Sequence, residues 1–330
     1  MLRSICLITL VGLFSGPLRA IVVASGDPNS PSVVVAYNQI VDGINLNGVV
    51  ELTTSTGYGC SGSLLSDGYS ILTAGHCIGS YGSPAPSYID VYFPGSGGPV
   101  TATTYYVDPA WTGDSTQGND LAIVRLSQAA PSSATRYSLY TGIVTNSPIL
   151  MAGYGYGGTG TTGGCPYSTF EPTCGGSSYQ AGTLRQGQNR YDTTGSNPKV
   201  GWSDNLLVGD FDNGTTTNNA LGSTDTDIAN EVDLSFGDSG GPSFYGGGII
   251  GVHDLLGCFS TSDSSPCFVP PSVSTIDDSY FGQIFADTSV PADASWIESA
   301  EVPEPASCSL VLLGLAVAGI LRRRAGRQPS

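Results

Sequence analysis

At 330 residues and 40% hydrophobic content, the chain can hold one large domain or two small ones and can bury a core. Its 46 Gly and 21 Pro suit short strands and frequent turns, and no long stretch of helical period lies between its two ends. Residues 21–305 hold all 27 acids against five basic residues, a net of −22, which argues against nucleic acid and anionic membrane surfaces as partners and fits solubility in an extracellular or saline medium.

In chain order, residues 1–20 carry Arg3 near their start, run apolar from Ile5 to Phe14 and break at Ser15-Gly16-Pro17. This is the pattern of a secretory signal peptide, too short in its apolar run for a membrane anchor. Small-residue cleavage options for signal peptidase lie after Ala20 and after Ala24, and Ile21-Val22 follows Ala20 directly. Six short runs come next: SVVVAY, GVVELTT, IDVYF, DLAIVRL, SPILMAG and GGIIGV. Each is β-branched or aromatic and bounded by Gly, Pro, Asn or Asp, so an all-β fold is predicted.

Three stretches within this region carry chemistry: GCSGSLLSDGYSILTAGHC (59–77), GNDLAIVRL (118–126) and FGDSGGPSF (236–244). Alone, His76 reads as a core histidine, Asp120 as a turn residue and Ser239 as part of a Gly-rich turn. Together they read as acyl transfer. A serine hydroxyl is a poor nucleophile until an imidazole takes its proton. His76 is the expected general base and later acid, Asp120 the group that fixes its tautomer, and Ser239 the nucleophile. The glycines around Ser239 let the amides of Gly237 and Ser239 face a developing oxyanion. Further along, Asp210-Phe211-Asp212-Asn213-Gly214 lies in a polar segment, 200–232. Its Gly comes one position early for an EF-hand loop and no Glu closes it, so it reads as a surface turn rather than a calcium site. The chain then ends VPEPASCSLVLLGLAVAGILRRRAGRQPS from Val302. Ala306–Leu321 is uncharged and as a helix would span only ~24 Å, barely a bilayer core. The arginines after it favour a cytoplasmic C-terminus.

These motifs resemble the trypsin/chymotrypsin-like serine proteases. The order His…Asp…Ser is that family's order. TAGHC is similar to its histidine motif, NDLAIVRL to its aspartate motif, and GDSGGP is its serine motif unaltered. ILMAGYGYGGTGTTGG from Ile149 is similar to its Gly-Trp-Gly segment, with Tyr154 where the Trp would be. GGGIIGV from Gly246 resembles the strand that cradles the substrate backbone, and Ser295-Trp296-Ile297 the start of its closing helix. The resemblance implies two antiparallel six-stranded β-barrels with the site between them and a short C-terminal helix. Residues 21–135 would form the first barrel, carrying His76 and Asp120, and residues 136–300 the second, carrying Ser239. It implies a protein or peptide substrate and brings no cofactor and no metal.

Finer roles also follow from the resemblance. Asp233, six before Ser239, would form the floor of the primary specificity pocket and select Arg or Lys. Two departures weaken that transfer. Ser235 stands where trypsins have a cysteine, and His253 falls near a position usually kept small, where a histidine would favour an acidic residue unless it reads, more simply, as a loop histidine. A freed Ile21 N-terminus would pair with Asp238. Cutting after Ala24 would discard Ile21 and leave Asp238 needing another partner. Setting aside Cys6 and Cys308 in the two ends, six cysteines remain. Proximity and resemblance together give Cys60–Cys77, Cys165–Cys174 and Cys258–Cys267, among 15 possible connectivities. Zinc is the weaker alternative, since the chain has two His and no Cys-x-x-Cys.

The C-terminus resembles the PEP-CTERM sorting signals: Pro303-Glu304-Pro305, an apolar helix over 306–321, then Arg322–Arg324. The resemblance covers 301–330 and implies transient insertion in the inner membrane. An exosortase-type transpeptidase would then cut near the Pro-Glu-Pro and deliver the product to the cell surface or extracellular matrix. The alternative is a permanent anchor. For function, the alternatives to a secreted endopeptidase are an idle matrix or adhesion module on the same fold, and an esterase using the same triad.

Overall fold

The computed structural model describes residues 21–79, 84–164, 181–216, 218–222, 231–257 and 279–301. The expectations for residues 1–20, for the helix 306–321 and for the pairs Cys165–Cys174 and Cys258–Cys267 lie outside them.

The fold is all-β, as expected, with two curled antiparallel sheets and one short C-terminal helix. Each sheet has seven strand segments, not six, and the reason is a bend. In the first sheet Val100–Ala102 pairs with Ile89–Tyr92 at one edge, while Thr104–Val107 pairs with Ala122–Arg125 at the other. Thr103 alone separates the two segments, so one bent strand joins both edges and closes the sheet. In the second sheet Arg185–Arg190 pairs with Pro148–Gly153 and Thr193–Thr194 pairs with Leu206–Asp210, with only residues 191–192 between them. A sheet closed by a bent strand has no open edge to template aggregation.

Alternation puts the apolar residues inside. In the first barrel Leu52, Leu64, Ile71, Val91 and Ile123 are fully buried. In the second, Met151, Leu207, Ile250 and Phe285 share one cluster. Ile21–Val23, expected in the first barrel, pairs instead with Gly157–Thr159 in parallel and with Val232–Asp233 in antiparallel, all from the second half. All three of its residues are fully buried.

The barrels are joined where the site lies. The amide of Ser61, in strand Gly59–Leu64, donates to the Ser239 carbonyl at 2.9 Å. Helix Val290–Glu301 packs on Ala122–Arg125 of one barrel and Gly248–Gly257 of the other. Pro291 sits in its first turn, where a missing N–H costs nothing.

Candidate active site

His76 lies in a single 3-10 turn, Gly75–Cys77, that follows strand Ser70–Thr73. A disulfide between Cys77 and Cys60 ties that turn to the neighbouring strand, which is the first of the three expected pairs. Asp120 precedes strand Ala122–Arg125 and is fully buried. Its Oδ1 accepts the His76 amide at 2.8 Å, and its Oδ2 meets His76 Nδ1 in a very short contact. Residues brought from separate motifs are thus locked together by both backbone and ring.

The ring itself remains 30% exposed, toward a cleft that Ser239 also lines. Burial opposes a charge on His76, but the Asp120 charge and hydrogen bond outweigh it and raise the imidazole's pKa. Burial likewise opposes the Asp120 carboxylate. The His76 charge and hydrogen bonds from His76 and Asp254 outweigh it, so its pKa is lowered. An imidazole held by a carboxylate on Nδ1 presents Nε2 as acceptor, which can take a proton from a hydroxyl in the cleft.

Ser239 sits on a sharp turn between Gly237 (φ +95°) and Gly240 (φ +80°). A Cβ on Gly240 would stand 2.1 Å from Thr73 Oγ1, so only glycine lets the two barrels approach here. Asp238 is buried beneath the turn. Its Oδ1 accepts the Gly155 amide at 2.8 Å and its Oδ2 the Ser235 amide at 2.9 Å. A Cβ on Gly155 would come within 2.6 Å of the Asp238 amide, so this contact too needs glycine. The Ile21 backbone N–H also donates to Asp238. Burial raises the Asp238 pKa to about 7, against those amides and the Arg185 charge, which lower it. Ile21 and Asp238 are therefore in contact.

Asp233 and His253 are not among the described residues that line this cleft. Asp233 is fully buried in a strand pairing with Val22, and its Oδ1 takes the Leu234 amide at 2.7 Å. Burial, reinforced by the Asp238 and Asp287 charges, raises its pKa to about 8. His253 is fully buried on the other side of the serine turn. Its Nδ1 is 3.2 Å from the Asp238 carbonyl oxygen and its Nε2 3.3 Å from Ser243 Oγ. Ser243 and the Tyr191 hydroxyl both donate to Asp287. Burial lowers the His253 pKa despite the Asp287 charge, so the ring is neutral and braces the turn. Around Ser239 the described wall is instead Leu234, Ser235, Phe236, Leu255 and Leu256, with His76, Ser115 and Asp254 completing it.

Asp254 is the residue that sequence reading missed. Strand Gly248–Gly257 bulges there: His253 pairs with Asp287 and Leu255 with Ala286, leaving Asp254 unpaired. The bulge brings its carboxyl to Asp120, within reach of a hydrogen bond. The only available signal was an acid beside His253 in an otherwise apolar strand.

Asp210 and Asp212 are buried, not on a surface turn: Asp210 ends strand Leu206–Asp210 in the second barrel. Within residues 210–214 the exposed residues are Asn213 and Gly214. Among the described residues, the acid, His and Cys groups close enough to share an ion are Cys60–His76–Cys77, whose sulfurs are in the disulfide, and His76–Asp120–Asp254.

Compared with known families, residues 44–269 match the family model described as Trypsin. Residues 301–325 match the model for the PEP-CTERM protein-sorting motif. No curated protein matches the chain.

Proposed function

The chain belongs to the trypsin family and ends in a PEP-CTERM sorting motif, and from that premise we propose that it is an exported serine endopeptidase acting through an acyl-enzyme on Ser239. The observation that carries this reading is the shared cleft. His76, bound to Asp120 through Nδ1, and Ser239 open on the same space. In this scheme His76 Nε2 takes the Ser239 proton as Oγ attacks the peptide carbonyl. The amides of Gly237 and Ser239 hold the oxyanion, each donor contributing about 3–4 kcal/mol to the barrier reduction. The imidazolium, stabilised by Asp120, returns the proton to the leaving amine, and water then repeats the sequence to free the acid.

A fluorophosphonate probe is expected to label Ser239 of the processed chain, which should also cut peptides. An idle adhesion module would take no label. An esterase would take label and turn over esters but not peptides. Absence of labelling overturns the proposal.

For the side chain next to the scissile bond, the apolar wall of Leu234, Phe236, Leu255 and Leu256 supports an apolar residue over Arg or Lys. Asp233, fully buried and raised to about 8 by that burial, supports it too. Asp233→Asn is expected to leave turnover of Leu and Phe substrates within about threefold, since a neutral, buried group replaces a neutral, buried group. A loss confined to Arg and Lys substrates, with those as the better substrates of the parent, would restore Asp233 as the pocket floor.

The PEP-CTERM motif points to an exported protein sorted to the cell envelope and implies exosortase processing. The proposal adds that signal peptidase removes residues 1–20 and that segment 306–321 inserts transiently in the membrane before release to the surface or matrix.

A further inference from the structure

Behind the His76 ring stand two carboxyls, not one. Asp120 spends Oδ1 on the His76 amide and Oδ2 on the ring. Asp254, 7% exposed, meets it from the bulge in strand Gly248–Gly257. One ligand atom from each of His76, Asp120 and Asp254 lies within 4.8 Å of the others. Thr288 Oγ1 donates to Asp254 Oδ2 at 2.9 Å, while Asp254 Oδ1 is buried and no donor reaches it. A buried carboxylate oxygen without a donor, beside a second carboxylate, is costly unless a proton lies between them.

We propose that Asp254 is held as the neutral acid and donates its proton to Asp120, so that one negative charge is shared by the pair and Asp120 is fixed in its orientation toward His76. This rests on the peptidase reading for its purpose, but not for its geometry. The two pKa directions agree with the placement of the proton. Burial, with the Asp120 charge behind it, pushes Asp254 well above the ordinary carboxyl range, whereas Asp120 is lowered. Pairs of acids whose surroundings drive them apart in this way divide into one donor and one charge.

Besides Thr288, the groups facing Asp254 are one hydroxyl and acids engaged elsewhere, and no base among the described residues takes its proton. From the turn before Asp120, the Ser115 hydroxyl hydrogen-bonds to Asp254. On the adjacent strand, Asp287 pairs with His253, and its carboxyl is engaged by Ser243 and Tyr191. On the helix, Asp293 accepts from Asn119 at 2.8 Å. A shared proton spreads the Asp120 charge and keeps His76 less basic than a bare carboxylate would make it. Asp254 is thus a positioning residue that acts through Asp120.

The test is an NMR titration of the imidazoles, unambiguous because the chain has only two histidines. Asp254→Asn keeps a neutral donor and should leave the His76 titration close to the parent. Asp254→Val removes the donor. It should raise the His76 titration by about one pH unit, a tenfold change in proton affinity, and lower kcat about tenfold or more with KM little changed. An unmoved titration in Asp254→Val, or an equal shift in both variants, overturns the proposal. Should the Val variant fail to fold, infrared difference spectra of the parent against Asp254→Asn decide. A buried carboxylic-acid carbonyl band at neutral pH that Asn removes supports the pair, and its absence from the parent overturns it. Neither readout needs turnover. A chain that takes no fluorophosphonate label but shows these shifts would sink the peptidase reading and keep the carboxyl pair.

Discussion

Ser239→Ala is expected to lower peptide turnover by about 10⁵- to 10⁶-fold and to leave the melting temperature almost unchanged. The two halves of this expectation have separate causes. On the proposed mechanism turnover depends on Ser239 Oγ as the acyl acceptor, and alanine deletes it. The fold depends on the backbone of the same residue, whose carbonyl is held by the Ser61 amide at 2.9 Å. The turn is set by the positive φ of Gly237 and Gly240, by the Asp238 carboxylate on Gly155 and Ser235, and by His253 on the Asp238 carbonyl. None of these uses the serine side chain. What turnover persists in such variants comes from the oxyanion site and from binding, about 10³–10⁴-fold over water. The measurement is kcat/KM on a peptide beside a thermal melt. Peptidase activity near that of the parent would remove Ser239 from the mechanism.

A second large effect is expected at the other end of the chain. An enzyme beginning at Ile21 should lose about 10²- to 10³-fold in kcat/KM when Ala20 is retained or when Asp238 becomes Asn, the equivalent of the ~3–5 kcal/mol that a broken buried ion pair costs. Three observations motivate it. Ile21 touches Asp238 through its backbone nitrogen. Asp238 is raised to about 7 by burial, which outweighs the backbone amides and the Arg185 charge. Ile21 also has φ +69°, a conformation that a β-branched residue adopts only under strain. Cutting the Ala20–Ile21 bond removes the carbonyl that defines that strain and leaves an ammonium beside Asp238.

Cleavage after Ala24 would instead strip Ile21, Val22 and Val23, all fully buried, from between two strands. At about 1.5–3 kcal/mol per side chain, that loss is comparable to the whole stability of a domain. The pH dependence has a definite sign. An α-amino group normally titrates near 7.7–8.0, and a carboxylate partner raises it. Activity that depends on the pair is therefore present below that range and falls as pH rises through the raised value. N-terminal sequencing of the exported protein gives the direct answer. A start at Ser25, or full activity in Asp238→Asn, would dismiss the switch.

The sequence by itself determined the elements whose signal is local. Short β-branched and aromatic runs bounded by turn residues gave most of the strands, although SVVVAY at 32–37 forms only an isolated bridge at Val34. TAGHC, NDLAIVRL and GDSGGP identified His76, Asp120 and Ser239 as candidates, because a turn that exposes a reactive side chain needs fixed neighbours within a few residues. The same holds for Pro303-Glu304-Pro305 and the segment behind it. Tertiary structure alone decided what depends on residues far apart in the chain. It closed each sheet through a bent strand and put Ile21–Val23 with the second half, since strand partners are chosen by packing rather than by order. It buried Asp233 and His253 completely, since burial of a strand residue depends on what packs against it from elsewhere in the chain. The bulge that breaks this register at Asp254 has no local sequence signature. It set a second carboxyl against Asp120, where burial and charge, rather than residue type, decide which of the two keeps the proton.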